Sequence, residues 1–551
     1  MRNAYAAAVS SEGAVSGTAA TAAAAGVVLA TLAAGQFLMT LDSSVMNVSI
    51  ATVAKDVGTT VTGIQTAITL YTLVMASLMI TGGKLGAILG RKRAFAIGCV
   101  IYGAGSFTTA LSQSLGVLIF GWSLLEGIGA ALILPAIVAL VASNFERAER
   151  PRAYGLVASA GAIAVAAGPL IGGLFTTYAS WRWVFAGEVV IVFGILLMTR
   201  RMADTPAEQG VHLDLVGTVL SALGLGLVVF GVLRSGTWGL LVPKAGAPEF
   251  LGLSLAAWLI VGGGVVLLGF VRWEGYLVAH DREPLVDFER IWNPGLRAGL
   301  TAFFFQYLVQ AGLFFVVPLF LSVALGLSAI ATGVRIMPLS ITLLLAAVGV
   351  PKVFPHASPR RISQLGFLAI FAGIVVLIAA LEAGAGPEIV TWPMLLAGLG
   401  IGALASQLGA VTVSSVSDDQ SSEVGGLQNT MTNLGASIGT ALAGAVLISA
   451  LTASFFAGVT SNPAVPASVT ANAQVELSSG VPFVSDKDLQ TKLDAAHVPT
   501  ATADAIVAEN ADARINGLRA ALAVLAVLAL IAVFACRRLP TRPPGDPDPV
   551  S

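Results

Sequence analysis

Apolar and polar residues are arranged along this chain in long blocks rather than at the two-residue period of a strand. Fourteen apolar runs stand out, near residues 27–53, 64–82, 94–112, 116–142, 153–175, 184–200, 214–233, 251–271, 297–324, 331–350, 364–382, 392–414, 427–452 and 517–536. An α-helix needs ~20 apolar residues to cross a hydrocarbon core about 30 Å thick, and each run is near that length. The pattern predicts an all-α polytopic membrane protein. Fourteen is even, so both termini are expected on one side.

The loops choose the side. With the N-terminus inside, twenty of the 29 Lys and Arg fall in inner segments, the densest being Lys84 with Arg91, Lys92 and Arg93. Basic loops stay cytoplasmic, so both termini are expected there, in a bacterial plasma membrane. Trp181 and Trp183 would then sit at the outer interface.

The chain also repeats weakly. Glu126-Gly127-Ile128-Gly129-Ala130 echoes Leu399-Gly400-Ile401-Gly402-Ala403, and Gly161-Ala162 echoes Gly435-Ala436, at offsets of 273 and 274. Arg360 and Arg361 follow Arg91–Arg93 at nearly the same spacing. Two repeated bundles around a midplane site are a common transporter plan. The expected organisation is a loose cytoplasmic tail over 1–24 and a six-helix bundle over 25–202. Two inserted helices and a linker follow over 203–290, a second six-helix bundle over 291–536, and a tail over 537–551. The stretch 453–516 would be a solvated extracellular insert, with short surface helices at Asp486–His497 and Ala501–Ile515.

Composition narrows the function. Of 551 residues, 56% are hydrophobic and 11% charged, against about 25% charged in soluble domains. That excludes a soluble multidomain enzyme, and the net charge of −1 offers no basic excess for a nucleic acid. Two cysteines, Cys99 and Cys536, lie in apolar runs and read as small buried hydrophobes. Four His in no ligand spacing, no phosphate loop and no nucleophile motif leave no readable metal, cofactor or catalytic site. Any driving force must come from an ion gradient or a partner.

The informative residues are carboxylates inside apolar runs. Asp42 lies about 15 residues into the first run, Glu126 ten into the fourth, and Glu188 about one turn into the sixth. An ionised carboxylate in hydrocarbon is costly, so such groups face a cavity or a partner. Burial favours the protonated form, so a carboxyl that is neutral when closed and ionised when wet can carry a proton or hold a cation. The first choice for that role is Asp42, with a helix-to-helix acceptor as its structural alternative; Glu126 sits in a Gly-rich close-packed stretch, and Glu188 could simply touch water. Asn47, Gln306, Gln310 and Gln407 are cavity-lining candidates. The loop from Gly83 through Gly90 to Arg91, Lys92 and Arg93 anchors topology, and its cations could brace helix ends by bonding terminal carbonyls. In Gly161–Gly173, Pro169 should kink the fifth helix, while Gly168, Gly172 and Gly173 permit close approach.

These stretches resemble the major facilitator superfamily, in particular its fourteen-span drug:proton antiporter branch (the EmrB/QacA kind). Leu41-Asp42-Ser43-Ser44-Val45-Met46-Asn47-Val48 resembles that branch's first-span signature. Gly83 to Arg93 resembles the superfamily loop G-x-L-a-D-R-x-G-R-K. Gly161 to Gly173 resembles the antiporter signature ending G-P-x-x-G-G, and Trp181-Arg182-Trp183-Val184-Phe185 the start of the sixth span. The resemblance implies two six-helix bundles with two extra central helices, and proton-coupled efflux by alternating access. The departures are specific. Ala87 and Ile88 replace the acidic and basic loop positions, so the acid-mediated gate is missing in its usual form. Ser123 stands where the fourth-span signature R-x-x-Q-G has arginine, Glu126 where it has glutamine, and Glu188 where the branch usually has asparagine.

One buried cation is lost and two carboxylates are gained. The expectation is an exporter of cationic or amphipathic small molecules that exchanges protons through Asp42, Glu126 and Glu188, works as a monomer and needs no cofactor. An uncoupled facilitator or importer of one metabolite, and a non-transporting sensor that uses 453–516, are the competing classes.

Overall fold

Each of the fourteen apolar runs maps onto one helix of the computed structural model, with edges that differ by up to four residues. The structure describes residues 2–145, 150–202, 212–244, 246–288, 293–354, 356–382, 384–415, 421–466 and 481–542. The helices are α1 (Arg2–Asp56), α2 (Val61–Leu89), α3 (Arg91–Ala110), α4 (Leu115–Leu118, a π-helical stretch Ile119–Glu126, then Gly127–Asn144), α5 (Arg150–Tyr178) and α6 (Arg182–Thr199). Next come α7 (Leu215–Trp238), α8 (Leu255–Ala279), α9 (Pro294–Leu319, ending in a π turn Phe320–Ala324), α10 (Ala329–Val353), α11 (Pro359–Ala380) and α12 (Thr391–Ser414). The chain finishes with α13 (Ser421–Ser461), the short α14 (Asp486–Ala495) and α15 (Thr500–Ala535).

Twelve of these are long and apolar enough to cross a bilayer, and α5, bent by 41° between Ser159–Val165 and Ala167–Tyr178, makes a thirteenth among the described residues. The remaining run is α3, whose basic start at Arg91, Lys92 and Arg93 lowers its mean hydropathy. α1 continues back to Arg2 through the segment expected as a loose tail, consistent with the high helix propensity of its many alanines.

α1–α6 form one bundle, with α1 along α5 and α3 between α4 and α6. α9–α13 and α15 form the second, with α9 against α13 and α12 between α10 and α11. The two bundles share one kind of crossing. Gly98 and Gly129 each sit against the other's carbonyl where α3 crosses α4, as Gly366 and Gly400 do where α11 crosses α12. Lipid tails are as apolar as leucine, so close packing through small residues, not burial from water, holds such crossings.

The bundles meet along two seams, α2 with α13 and α5 with α10. In the first, Gln65 Nε2 donates to Thr440 O (3.0 Å) and Ser437 Oγ to Thr69 O (3.0 Å). The inserted pair α7–α8 packs on itself and leans on α2 and α13, burying Leu225 and Val229 beside Leu73. It therefore braces the first seam from outside.

The segment after α13 is not a loose insert where it is described. α15 runs unbroken from Thr500, so the expected separate helix Ala501–Ile515 is its first four turns. A helix already nucleated in the membrane adds turns at little cost. Arg514, 2% exposed, donates to Val484 O and pairs with Asp486, tying α14 to α15. Residues 467–480 lie outside the described residues.

Lys55 at the end of α1 pairs with Asp488 of α14 at 3.4 Å. The Ser485 hydroxyl, with help from Lys55, holds the Asp488 carboxyl below its usual range against some desolvation. A carboxyl depressed in the folded state stabilises above its unfolded pKa and loses that contribution as pH falls through the folded value. Exposed pairs contribute less than ~1 kcal/mol. Amide-exchange protection of Asp486–Ala495, corrected for intrinsic rate, should thus hold at neutral pH and decline only below about pH 4.

Candidate functional site

The first bundle encloses three carboxylates. Asp42 (0% exposed) comes from α1, Glu126 (0%) from α4 and Glu188 (1%) from α6. One oxygen from each can be chosen so that all three lie within 4.8 Å of one another. Of the two sequence readings of Glu188, a coupling carboxylate or a group that simply touches water near the interface, packing removes the second by burying it. Helix α3 supplies the bridge, since Tyr102 Oη and Ser106 Oγ donate to Glu188 Oε2 (3.2 and 3.1 Å) and Thr109 Oγ1 donates to Glu126 Oε1 (3.1 Å). Trp122 Nε1 donates to Asp42 Oδ1 at 2.7 Å, and its ring stacks on Tyr71 at 4.9 Å.

Two local features aim Glu126. It ends the π-helical stretch Ile119–Glu126, and the wider turn of a π segment rotates the side chains that follow. Gly105 on α3 leaves the room, because a Cβ there would lie 2.6 Å from Glu126 Cγ. The sequence shows Ser106 and Thr109 three apart on one helix face, but nothing in it signals the π turn.

The electrostatics are one-sided. Ser123, where the resemblance would put an arginine, donates to Ala67 O at 2.8 Å, and no Lys, Arg or His pairs with the three acids among the described residues. Asp42 Oδ2, Glu126 Oε2, Glu188 Oε1 and the Tyr71 hydroxyl are buried without hydrogen-bond partners. Two unit charges 4.8 Å apart repel by roughly 3.5 kcal/mol even at an effective dielectric of 20. Three ionised carboxylates so placed need protons or another cation to coexist. Spacing along the chain does not bring these three acids together, because they lie 84 and 62 residues apart on different helices.

None of the three lines the hollow between the bundles. That hollow holds about 20 Å³ and is lined by Ser44, Asn47 and Val48 of α1, Val165 and Pro169 of α5, Phe314 and Pro318 of α9, and Ile336 and Ser340 of α10. It has room for about one water. Of the cavity candidates only Asn47 is there. Gln306 and Gln310 are in α9 with unpartnered side-chain oxygens, and Gln407 Nε2 bonds Ser406 Oγ. The three acids lie on the side of α1 away from this hollow, whose wall Ser44, Asn47 and Val48 form on that helix's other face.

The kinked helix makes the second seam. Pro169 cannot donate to Val165 O, which lies beside the bend, and Ser340 Oγ of the other bundle donates to that carbonyl instead (3.2 Å). Freed backbone groups within the membrane need such a partner. Further along, Ile330 N donates to Thr177 Oγ1 (3.1 Å). A Cβ on Gly333 would lie 2.2 Å from Pro169 O, and one on Gly173 2.7 Å from Ala329 O. Gly168 and Gly172 pack against Ser44 and Val45 of α1.

At the opposite end, Gly90 joins α2 to α3 at φ 92°, a conformation that favours glycine. Lys92 Nζ donates to Met202 O (2.7 Å) just beyond α6, the expected brace on a helix end. Lys84 pairs with Glu283 (3.2 Å) in the linker after α8, while Gly83 has ordinary spacing to Pro135. Arg91 is half-buried and Arg93 exposed. Trp183 is exposed as expected of an interface residue, but Trp181 is 1% exposed, because its Nε1 turns inward to Asp56 (3.0 Å).

Comparison with known proteins agrees with this architecture. The chain is 29% identical over 453 residues to the puromycin resistance protein pur8 of Streptomyces alboniger, covering 79% of this chain and 84% of that protein. It is 28% identical over 418 residues to the cephamycin export protein CmcT of Amycolatopsis lactamdurans, covering 74% and 82%. A solved bacterial homolog of the human lysosomal transporter Spinster, inward-facing and unoccupied, superposes with a TM-score of 0.57 at 14% identity, over 94% of this chain and 98% of that one. The model of the Major Facilitator Superfamily matches residues 32–440. The two packed bundles, the seams between them and these matches agree, and the chain is a transporter that belongs to the Major Facilitator Superfamily.

Proposed function

We propose that this protein is a proton-driven exporter of drug-like amphipathic small molecules, of the fourteen-span antiporter branch. It works as a monomer in a bacterial plasma membrane with both termini cytoplasmic. The observation that carries the reading is the enclosure of Asp42, Glu126 and Glu188 in one buried pocket without a cationic partner. Such a pocket changes protonation when it opens to either side. α1 carries Asp42 on one face and the hollow-lining Ser44, Asn47 and Val48 on another. A proton gained or lost behind this helix is therefore coupled to the space where cargo passes. Relatives named for resistance to, or export of, antibiotics support the drug-like cargo. Cargo drives rocking of the bundles only by binding the two states unequally.

Ser123 in place of the expected arginine favours one other reading, an uncoupled facilitator. Purified protein in vesicles separates them. An imposed pH gradient should drive accumulation of an amphipathic dye or antibiotic against its own gradient, with a matching proton flux. Equilibration without accumulation would reject coupling.

A further inference from the structure

We propose that the pocket formed by Asp42, Glu126, Glu188 and Tyr71 is a binding site for a small hard metal cation. The inference deepens the transport reading by assigning the same pocket a second kind of occupant. Three donor oxygens, one per carboxylate, lie within 4.8 Å of one another. Three oxygens at that limit lie about 2.8 Å from a common centre, a few tenths of an ångström beyond a calcium–oxygen bond of about 2.4 Å, so small side-chain shifts bring all three onto one ion. The second observation is a neutral group beside them. The Tyr71 hydroxyl, 1% exposed, faces the Asp42 carboxyl, and its oxygen meets no partner at good hydrogen-bond geometry. One oxygen of each carboxylate is likewise unpartnered, while the others are fixed by Trp122, Thr109, Tyr102 and Ser106. Oriented first ligands with hydrogen-bonded second partners are how proteins build metal sites.

Donor chemistry sets the class. All four donors are oxygens, with no imidazole or thiolate among them. Oxygen-only sets suit calcium, magnesium, manganese or sodium rather than zinc or copper. A divalent ion offsets two of the three carboxylate charges, and one proton offsets the third. A monovalent ion would need two protons beside it.

The test is direct binding to the full chain purified in detergent at pH 8. Mn²⁺ is followed by electron paramagnetic resonance, and Ca²⁺, Mg²⁺ and Na⁺ by calorimetry. The expected result is one saturable site per chain for at least one of these ions. Glu188→Gln keeps an acceptor for Tyr102 and Ser106, and should weaken it by at least ~10-fold, what loss of even an outer partner costs a metal ligand. Tyr71→Phe preserves the stack on Trp122 and should weaken it too. Melting curves without metal check that both variants fold. No saturable binding of any of the four ions at millimolar concentration, or binding unchanged in both folded variants, would overturn the proposal. Proton-coupled drug export without metal binding would sink this inference alone. Metal binding without drug export would leave it standing and remove the transport reading.

Discussion

Replacing Asp42 with Asn is expected to abolish uphill export while leaving the protein folded, and Glu126→Gln is expected to do nearly the same. The amides keep an acceptor for Trp122 Nε1 and for Thr109 Oγ1, so packing is preserved and only the exchangeable charge is lost. Drug accumulation in energised vesicles should fall by about tenfold or more, within what a coupling free energy of ~1–3 kcal/mol provides. Cationic and neutral cargo should lose alike. The three acids lie behind α1 and none lines the hollow between the bundles, so they act on the conformational cycle rather than on cargo charge. A loss confined to cationic compounds would place the acids in contact with cargo and reject this arrangement.

The second large effect concerns the α5–α10 seam. Gly333→Val puts a side chain where Pro169 O lies, with its Cβ 2.2 Å away. Overpacking of this kind costs ~1–3 kcal/mol. The cost falls only on the state in which Thr177 meets Ile330 and Ser340 meets Val165. The equilibrium should move about 5- to 150-fold toward the state in which this end is parted. Labelling of Asn47→Cys by a membrane-impermeant thiol reagent added from the Tyr178 side measures it. The background needs little change, because Cys99 and Cys536 are both buried. The rate should rise several-fold in Gly333→Val, and an unchanged rate would show that the seam does not gate this end.

The two predictions depend on information of different kinds. Asp42 and Glu126 are visible in the sequence because a carboxylate within twenty apolar residues violates the local rule, and such violations mark function. Pro169 is visible because its chemistry removes a donor wherever it stands. Their partners are another matter. Tyr71, Trp122, Ser106 and Thr109 are ordinary residues for membrane helices, and Ser340 has no local signature of a cap for a carbonyl 175 residues away. The burial of Glu188 is not legible in the sequence, because depth along one helix says nothing about what covers it from the side.

Local pattern along the chain is enough to fix where the apolar helices lie, and the presence of misplaced charge and a breakable helix. Solvation dictates these locally, since every spanning segment must be apolar and satisfy its own backbone. Packing of the whole fold brings the three acids into one pocket, turns Ser44, Asn47 and Val48 of the same helix toward the hollow between the bundles, and seats Ser340 on the carbonyl freed by Pro169. Those outcomes depend on helix rotation and crossing, set by contacts such as Gly105 on Glu126 and Gly333 on Pro169. Contacts among distant residues are a property of the packed helices together, and no single stretch of chain encodes them.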